Sequence, residues 1–131
     1  LTPAGYYTLQ ASIAAEHAQA SIAERTDWGR IVRLYDALCR RFPSPILALN
    51  RAVAIAMNGA PATGLQLLDD IAQHPQISRY HLFHAAKADL LRRQGQYEAA
   101  RNAYQQALLL ATLEPEKRFL NRRLAELENS P

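Results

Sequence analysis

The sequence contains an internal repeat with a period of 36 residues. The repeat is visible when "RAVAIAMNGAPATGLQLLDDIAQHP" is aligned with "KADLLRRQGQYEAARNAYQQALLLA" at that offset. Matched positions keep a small or an apolar residue: Ala52 with Ala88, Ile55 with Leu91, Gly59 with Gly95, Gly64 with Ala100, Leu68 with Tyr104, and Ile71 with Ala107. Periods of about 34 residues built from paired helices are typical of a helical solenoid. The repeat therefore predicts stacked pairs of helices.

An earlier stretch, "DWGRIVRLYDALCRRFPSP", fits the same frame more weakly. Trp28 takes the place of Tyr97, and Tyr35 takes the place of Tyr104. Apolar residues at helical spacing usually mark a buried face, so both aromatic residues are predicted to lie in the core. The opposite face carries four arginines: Arg30, Arg33, Arg40 and Arg41. We interpret that face as solvated, because phosphate binding needs charge clustered on one surface, and direct contact with DNA is the alternative.

Seven helices are predicted from the positions of helix-breaking and capping residues. Ala and Leu are strong helix formers and dominate the chain, whereas the β-branched runs typical of strands are absent. Six of the predicted helices run over about residues 4–19, from Asp27 to Pro43, from Ser44 to Gly59, from Pro61 to Pro75, from Ser78 to Gly95, and from Pro115 to about Glu128. The remaining one, the sixth in chain order, begins after Gly95. Asp27, Ser44 and Ser78 are expected to cap helices by accepting hydrogen bonds from the first turn.

Close packing within each helix pair is predicted from residue size. Ala52 and Ala88 are small and let the second helix of a pair approach the first. Each pair leaves an apolar side uncovered, which stacking buries. The residues predicted to make these contacts are Trp28, Tyr35, Ala52, Gly64, Leu68, Ala88, Ala100, Tyr104 and Ala107.

One segment of the repeat, "GQYEAARNAYQQAL", resembles the tetratricopeptide (TPR) consensus. The predicted fold is therefore all-α: a TPR-like, right-handed helical repeat. It should comprise about three helix pairs and a C-terminal capping helix, in a single domain over residues 1–131.

The order of five sequence blocks resembles a larger class of protein. The blocks are "GYYTLQASIAAEHAQA", "TDWGRIVRLYDAL", "PSPILALNRAVAIAMNG", "GLQLLDDI" and "YHLFHAAKADLLRRQGQYEAARNAYQQAL". Together they resemble one group of bacterial extracytoplasmic-function (ECF) RNA polymerase sigma factors, which carry a long C-terminal extension with TPR-like repeats. The resemblance implies that the chain is the C-terminal fragment of a longer sigma factor whose promoter-binding domains are absent here.

That resemblance also implies a function and partners. The parent function would be transcription initiation in the cytoplasm. The extension would be a non-enzymatic domain that modulates it through sigma-factor domains of the same chain or through RNA polymerase. DNA would be contacted only through the missing N-terminal domains. The alternative is a stand-alone TPR-like adaptor that binds a peptide or helix of a partner protein.

Several other classes of protein are excluded by composition and motifs. No run of about 18 apolar residues exists, so no membrane span is expected. Cys39 is the single cysteine, which excludes an internal disulfide and suits a reducing compartment. A Gly-rich phosphate loop, "GxSxG" and "HExxH" are all absent, so neither an enzyme nor a cofactor is predicted.

A binding groove is predicted along the first helix of each pair, by analogy with TPR stacks. The residues expected there are Ile46, Leu49, Asn50, Val53, Leu82, Ala85, Asp89 and Arg93. Most are apolar, which departs from the charged groove of chaperone-binding TPR domains. Such a groove favours a helix or another part of the same protein as its occupant. Filling by a terminal helix of the chain is the competing interpretation.

Arg51 interrupts the apolar stretch "ILALNRAVAIAM" and is predicted to be a structural polar anchor. A buried guanidinium needs a carboxylate, and Glu16, Asp27 and Asp36 are the possible partners. Contact with an acidic group of a partner is the functional alternative.

His81 and His84 lie three residues apart on one helix face, a spacing that could supply two metal ligands. No third ligand is evident, so no metal site is predicted.

Overall fold

The computed structural model describes residues 26–128, and all regular structure within this range is helical. The helices are α1 (Trp28–Arg41), α2 (Pro45–Met57), α3 (Pro61–Ile71), α4 (Pro75–Ser78), α5 (His81–Arg93), α6 (Tyr97–Leu110) and α7 (Glu114–Glu128). The all-α class predicted from the repeat is confirmed for these residues. The helix predicted over residues 4–19 lies outside the described residues.

Two of the three predicted side-chain caps are present. The Asp27 Oδ1 atom accepts a hydrogen bond of 3.0 Å from the Arg30 backbone N–H and starts α1. The Ser44 Oγ atom accepts one of 3.5 Å from the Leu47 backbone N–H and starts α2. Pro45 is the first residue of α2, where the N–H that proline lacks would have no helical partner.

The cap predicted at Ser78 is wrong. Ser78 is the last residue of α4, and α5 begins after Tyr80, whose side chain makes no capping bond. The Ser78 carbonyl oxygen instead accepts a hydrogen bond of 2.9 Å from the His84 ring. The His74 ring caps α4, because its Nδ1 atom accepts a bond of 3.1 Å from the Gln76 backbone N–H.

Pro75 also has a different role from the one predicted. The helix α3 already ends at Ile71, and Pro75 is the first residue of the short helix α4. The glycine breaks are as predicted: Gly59 has a φ of 96° and Gly95 a φ of 78°. Both conformations are left-handed and cost glycine little, so these residues end α2 and α5.

The chain divides into two compact units, with the division between Leu67 and Leu68, inside α3. In the first unit, α1 packs against α2. Its core cluster consists of Ile31, Tyr35, Leu38, Leu47 and Ala54, with Trp28, Val32, Leu34, Cys39 and Phe42 packed around it.

Gly64 lies at a close approach between α2 and α3. A Cβ atom added at Gly64 would lie 2.5 Å from the Ala56 Cβ atom and 2.8 Å from the Ala52 carbonyl oxygen. Neither position could move away without shifting the α2 backbone. The absence of a side chain at Gly64 therefore permits this helix contact.

In the second unit, α6 packs against both α5 and α7. The buried side chains of this unit are apolar: Leu68, Ile77, Phe83, Ala88, Leu90, Leu91, Ala100, Tyr104, Ala107, Ala111, Leu120 and Leu127. The small residues Ala88 and Ala100 are fully buried, and so is Tyr104 with only 1% of its surface exposed. Burial of Leu120 and Leu127 fixes α7 as the last layer of this core within the described residues.

Candidate functional site: an apolar cleft between α5 and α7

An apolar cleft with a volume of about 390 Å³ lies between α5 and α7. Its lining residues are His81, Leu82, Ala85, Pro115, Glu116, Phe119 and Leu120. All belong to the second unit. The cleft arises because α5 turns small or apolar residues towards the first turns of α7.

The two walls of the cleft each present a large exposed apolar side chain. Leu82 on α5 is 48% exposed, and Phe119 on α7 is 39% exposed. Leaving such surface in water forgoes about 25 cal/mol for each Å² that a contact would bury. A partner that covered both side chains would recover that energy, so the cleft is suited to apolar contact.

The polar side chains in the lining are already engaged with each other. The His81 Nε2 atom contacts the Glu116 carboxylate, which joins the start of α5 to the first turn of α7. Leu120 is buried beside this pair. The cleft therefore offers an occupant apolar surface and few free hydrogen-bonding groups.

The outer side of α7 carries positive charge next to the cleft. Arg118 and Arg122 are exposed and, with Pro115 and Asn121, line a second hollow of about 470 Å³. Pro115 lines both hollows, so the two adjoin at the first turn of α7. The Arg123 guanidinium lies 5.1 Å from the centre of the Phe119 ring, a cation–π contact that orients the ring.

A network of charged side chains joins α5 to α6. Asp89 accepts hydrogen bonds of 2.6 Å from Arg92 and 2.9 Å from Arg93. Arg92 also donates to the Tyr104 hydroxyl at 3.4 Å. Burial opposes ionisation of Asp89, but the hydrogen bonds from the two arginines outweigh it and lower the pKa of Asp89. Burial raises the pKa of Tyr104, so this hydroxyl stays protonated.

The part of the predicted groove on α5 coincides only partly with the cleft. Leu82 and Ala85 line it. Asp89 and Arg93 lie further along α5 and bind each other. The sequence also allowed a terminal helix to fill the groove. In the structure, α7 forms the second wall of the cleft and leaves the cleft open.

The part of the predicted groove on α2 belongs to the first unit. Ile46, Asn50 and Val53 are half-buried. Leu49 is 2% exposed, so the prediction that it lines a groove is wrong. The sequence pattern of α2 does not indicate this burial, because the helix has apolar residues around most of its circumference.

Arg51 pairs with Asp36, one of the three partners considered. The Arg51 Nε atom lies 2.6 Å from the Asp36 Oδ1 atom, and the two side chains are 37% and 34% exposed. The pair joins α2 to α1 beside a hollow of about 460 Å³ that Cys39 and Arg40 also line. Burial raises the pKa of the Cys39 thiol, which makes it a poor nucleophile.

The two histidines of α5 have separate partners. His81 contacts Glu116, and His84 binds the Ser78 carbonyl. Within residues 26–128, no cluster of three or more His, Cys, Asp or Glu side chains is placed to hold a metal ion. In the same range, no helix is both long and apolar enough to span a membrane.

The arginine face of α1 is exposed at Arg30, Arg33, Arg40 and Arg41. The predicted packing residues lie on the inner faces of their helices. All are buried except Trp28, which is half-buried at the start of α1.

Sequence reasoning missed the α7 wall of the cleft. Pro115 and Phe119 lie four residues apart and therefore on one helix face, within the charged stretch "EPEKRFLNRR". That isolated apolar pair was the available signal. The pairing of His81 with Glu116 had no sequence signal, because it depends on how α5 and α7 pack.

Comparisons with known proteins identify the class of fold. No family model matches the chain. The crystal structure of the Sgt2 TPR domain from Aspergillus fumigatus matches it with a TM-score of 0.65 and 17% identity, covering 98% of this chain and 84% of that one. The chain therefore has a TPR-like helical-repeat fold, as predicted.

One curated relative matches in sequence. It is an uncharacterized protein of Rhizobium meliloti (strain 1021), 38% identical over 127 residues. The match covers 97% of this chain, whereas the chain spans only 30% of the length of that relative.

Proposed function

We propose that this chain is a non-enzymatic protein-interaction domain that uses the α5–α7 cleft to hold a protein partner. The observation that carries the proposal is the pair of exposed side chains, Leu82 and Phe119, on facing walls of an apolar cleft in a TPR-like fold. Repeat folds present such surfaces because each helix pair leaves one side for a neighbour or a ligand.

More specifically, the proposal places the domain in an ECF sigma factor as its C-terminal extension, acting in the bacterial cytoplasm. There it modulates transcription initiation through contacts with sigma-factor domains of the same chain or with RNA polymerase. Support comes from the resemblance of the five sequence blocks, in their order, to ECF sigma factors. It also comes from a relative in which the matching region is a minor part of a longer protein.

The test uses the full-length product of the gene, with and without residues 26–128. Binding to core RNA polymerase is measured by pull-down, and transcription is measured from the gene's own promoter. A change in either on deletion supports a regulatory extension. A full-length product that neither binds polymerase nor carries promoter-reading domains overturns the sigma-factor proposal.

A stand-alone adaptor is the second candidate function. It is favoured by the structural match, since the TPR domain of Sgt2 aligns with nearly the whole of this chain. An adaptor predicts that a separate protein is retained by the wild-type chain and lost by a Leu82→Ser variant. Identifying that protein by mass spectrometry, with binding then reproduced from purified components, distinguishes the adaptor from the extension.

A further inference from the structure

The chemistry of the α5–α7 cleft restricts what can occupy it. An extended peptide leaves its backbone N–H and C=O groups unpaired unless the site supplies partners. Among the described residues, the lining contains no Asn, Gln, Ser or Thr, and its polar side chains, His81 and Glu116, contact each other. A helix satisfies its own backbone hydrogen bonds and needs only apolar contact, so the cleft favours a helical occupant.

The rim of the cleft offers positive charge to an occupant. No ion pair among residues 26–128 involves Arg118 or Arg122, although neighbouring charges on α7 are paired. Glu114 lies near Lys117, and Glu126 binds Arg123. These two glutamates on α7 therefore pair with Lys117 and Arg123 and not with the two rim arginines.

The spacing of the two arginines also fits a helix. They lie four residues apart on α7, which separates them by about 6 Å along the helix axis. Carboxylates three or four residues apart on a second helix have a similar spacing. On α7, Arg122 lies close to Phe119 around the helix, on its solvent side, so a helix seated over Phe119 would bring acidic side chains to this rim.

From these observations we propose that the cleft binds an amphipathic helix with acidic side chains beside its apolar face. Large apolar residues at i, i+3 and i+4 enter between Leu82 and Phe119, and carboxylates pair with Arg118 and Arg122. The proposal rests on the interaction function above and adds the chemistry of the partner.

The experiment is a selection from a displayed library of helical peptides, with outward positions randomised, against the 131-residue chain. The proposal expects enriched peptides to combine apolar residues at helical spacing with Asp or Glu on one flank. Enrichment of Lys or Arg on that flank would overturn it, as would proline-rich or extended motifs, or no enrichment above the starting library.

The most enriched peptide is then synthesised, and its affinity is measured by fluorescence anisotropy for a set of variants. Leu82→Ser and Phe119→Ser should each weaken binding by about tenfold or more. The double charge reversal Arg118→Glu with Arg122→Glu should lower the affinity for the acidic peptide. It should raise the affinity for a counterpart in which Lys replaces the acidic residues. The loss from charge reversal should shrink as salt is raised.

The matched control reverses the same number of charges in the other unit: Arg33→Glu with Arg41→Glu. Both arginines are exposed on α1, so this variant should bind the peptide as the wild type does. Because all four arginines substituted in the two charge-reversal variants are exposed, the melting temperatures of these two variants should stay close to that of the wild type. Unchanged binding by the Leu82 and Phe119 variants would overturn the proposed cleft site.

The two proposals fail in different ways. If the cleft variants bind peptides normally but deletion of the domain alters transcription, the proposed partner chemistry is wrong and the regulatory function stands. If the acidic helix binds at the cleft but the full-length protein does not bind RNA polymerase, the sigma-factor proposal fails and the proposed binding site in the cleft is retained.

Discussion

Gly64 shows how one residue sets the distance between two helices. A methyl group there would lie 2.5 Å from the Ala56 Cβ atom, well inside van der Waals contact. We therefore expect Gly64→Ala to destabilise the protein by about 1–3 kcal/mol, because α3 must move off α2. Urea unfolding followed by circular dichroism measures the loss.

Gly29 provides the matched control for that change. It also lies within a helix, but an added Cβ atom would find its nearest neighbours at 3.6 Å, an ordinary contact distance. Gly29→Ala should cost nothing and should stabilise α1 by up to about 1 kcal/mol, since alanine restricts the unfolded chain. Equal effects at both glycines would contradict close packing at Gly64.

Asp89 should make stability depend on pH. Its pKa is lowered in the folded protein from an ordinary value of 3.8. The stabilisation is therefore complete above about pH 4 and is lost as the pH falls through the folded-state pKa. Asp89→Asn should accordingly be less stable than the wild type at neutral pH, and the difference should narrow below pH 3.8.

Urea unfolding of the wild type and Asp89→Asn across this pH range tests the expectation. Glu98→Gln removes one negative charge from an exposed position on α6 and serves as the control. A gap between wild type and Asp89→Asn that stays constant down to strongly acidic pH would show that the arginines do not hold the carboxylate in its charged form.

The Arg51–Asp36 ion pair should contribute little to stability despite its short distance. Both side chains are more than one-third exposed, so solvent screens their attraction. Arg51→Met should lower the free energy of unfolding by about 0.2–1 kcal/mol, and a double-mutant cycle with Asp36→Asn isolates the pairwise part. A coupling energy of zero would leave Arg51 free to act on a partner.

At the scale of elements, α7 serves both the core and the cleft. Leu120 and Leu127 are buried, whereas Phe119 and the two rim arginines face outwards. Removing residues after Leu113 should expose the apolar face of α6, because α7 is its neighbour on that side. We expect a lower denaturation midpoint and concentration-dependent association, measured by urea unfolding and light scattering.

Glu116→Gln controls for the loss of the His81 contact alone and keeps the rest of α7. Its denaturation midpoint should lie much nearer to that of the wild type than the midpoint of the truncated chain does. A truncated chain that stays monomeric with an unchanged midpoint would show that α7 is not needed to cover α6.

Helix starts and ends that depend only on neighbouring residues were predictable from the sequence. Asp27 and Ser44 cap their helices, and Gly59 and Gly95 end theirs, because each acts on the few residues around it. Prediction failed at Ser78, where the histidines on either side changed the local hydrogen bonding.

The cleft was predictable only in part, since its walls come from elements distant in sequence. Leu82 and Ala85 follow from the repeat, which assigns them to the first helix of a pair. Phe119 lies outside the repeat, and its exposure depends on the angle at which α7 packs. Leu49 was misplaced because an apolar helix gives no sign of which residues face outwards.

At the scale of the whole molecule, the compact units do not coincide with the predicted helix pairs. The division falls inside α3, which places Gly64 against α2 in the first unit and Leu68 in the core of the second. In a repeat protein, stability is approximately a sum of terms for each repeat and its neighbours. Because α3 supplies residues to both units, it should contribute to the stability of both.

That arrangement predicts which fragments of the chain can fold. A fragment of residues 61–131 keeps all of α3, with the buried Leu68, together with the α5–α6–α7 core. It should unfold cooperatively in urea. A fragment of residues 72–131 lacks α3 and therefore exposes to water the apolar surface that Leu68 covers, so it should be less stable than the longer fragment. Circular dichroism and amide hydrogen exchange compare the two, with a Leu68→Ala variant of the longer fragment as the matched control. Equal stability of both fragments would place Leu68 outside the core of the second unit, and a longer fragment without a cooperative transition would show that this unit cannot fold alone.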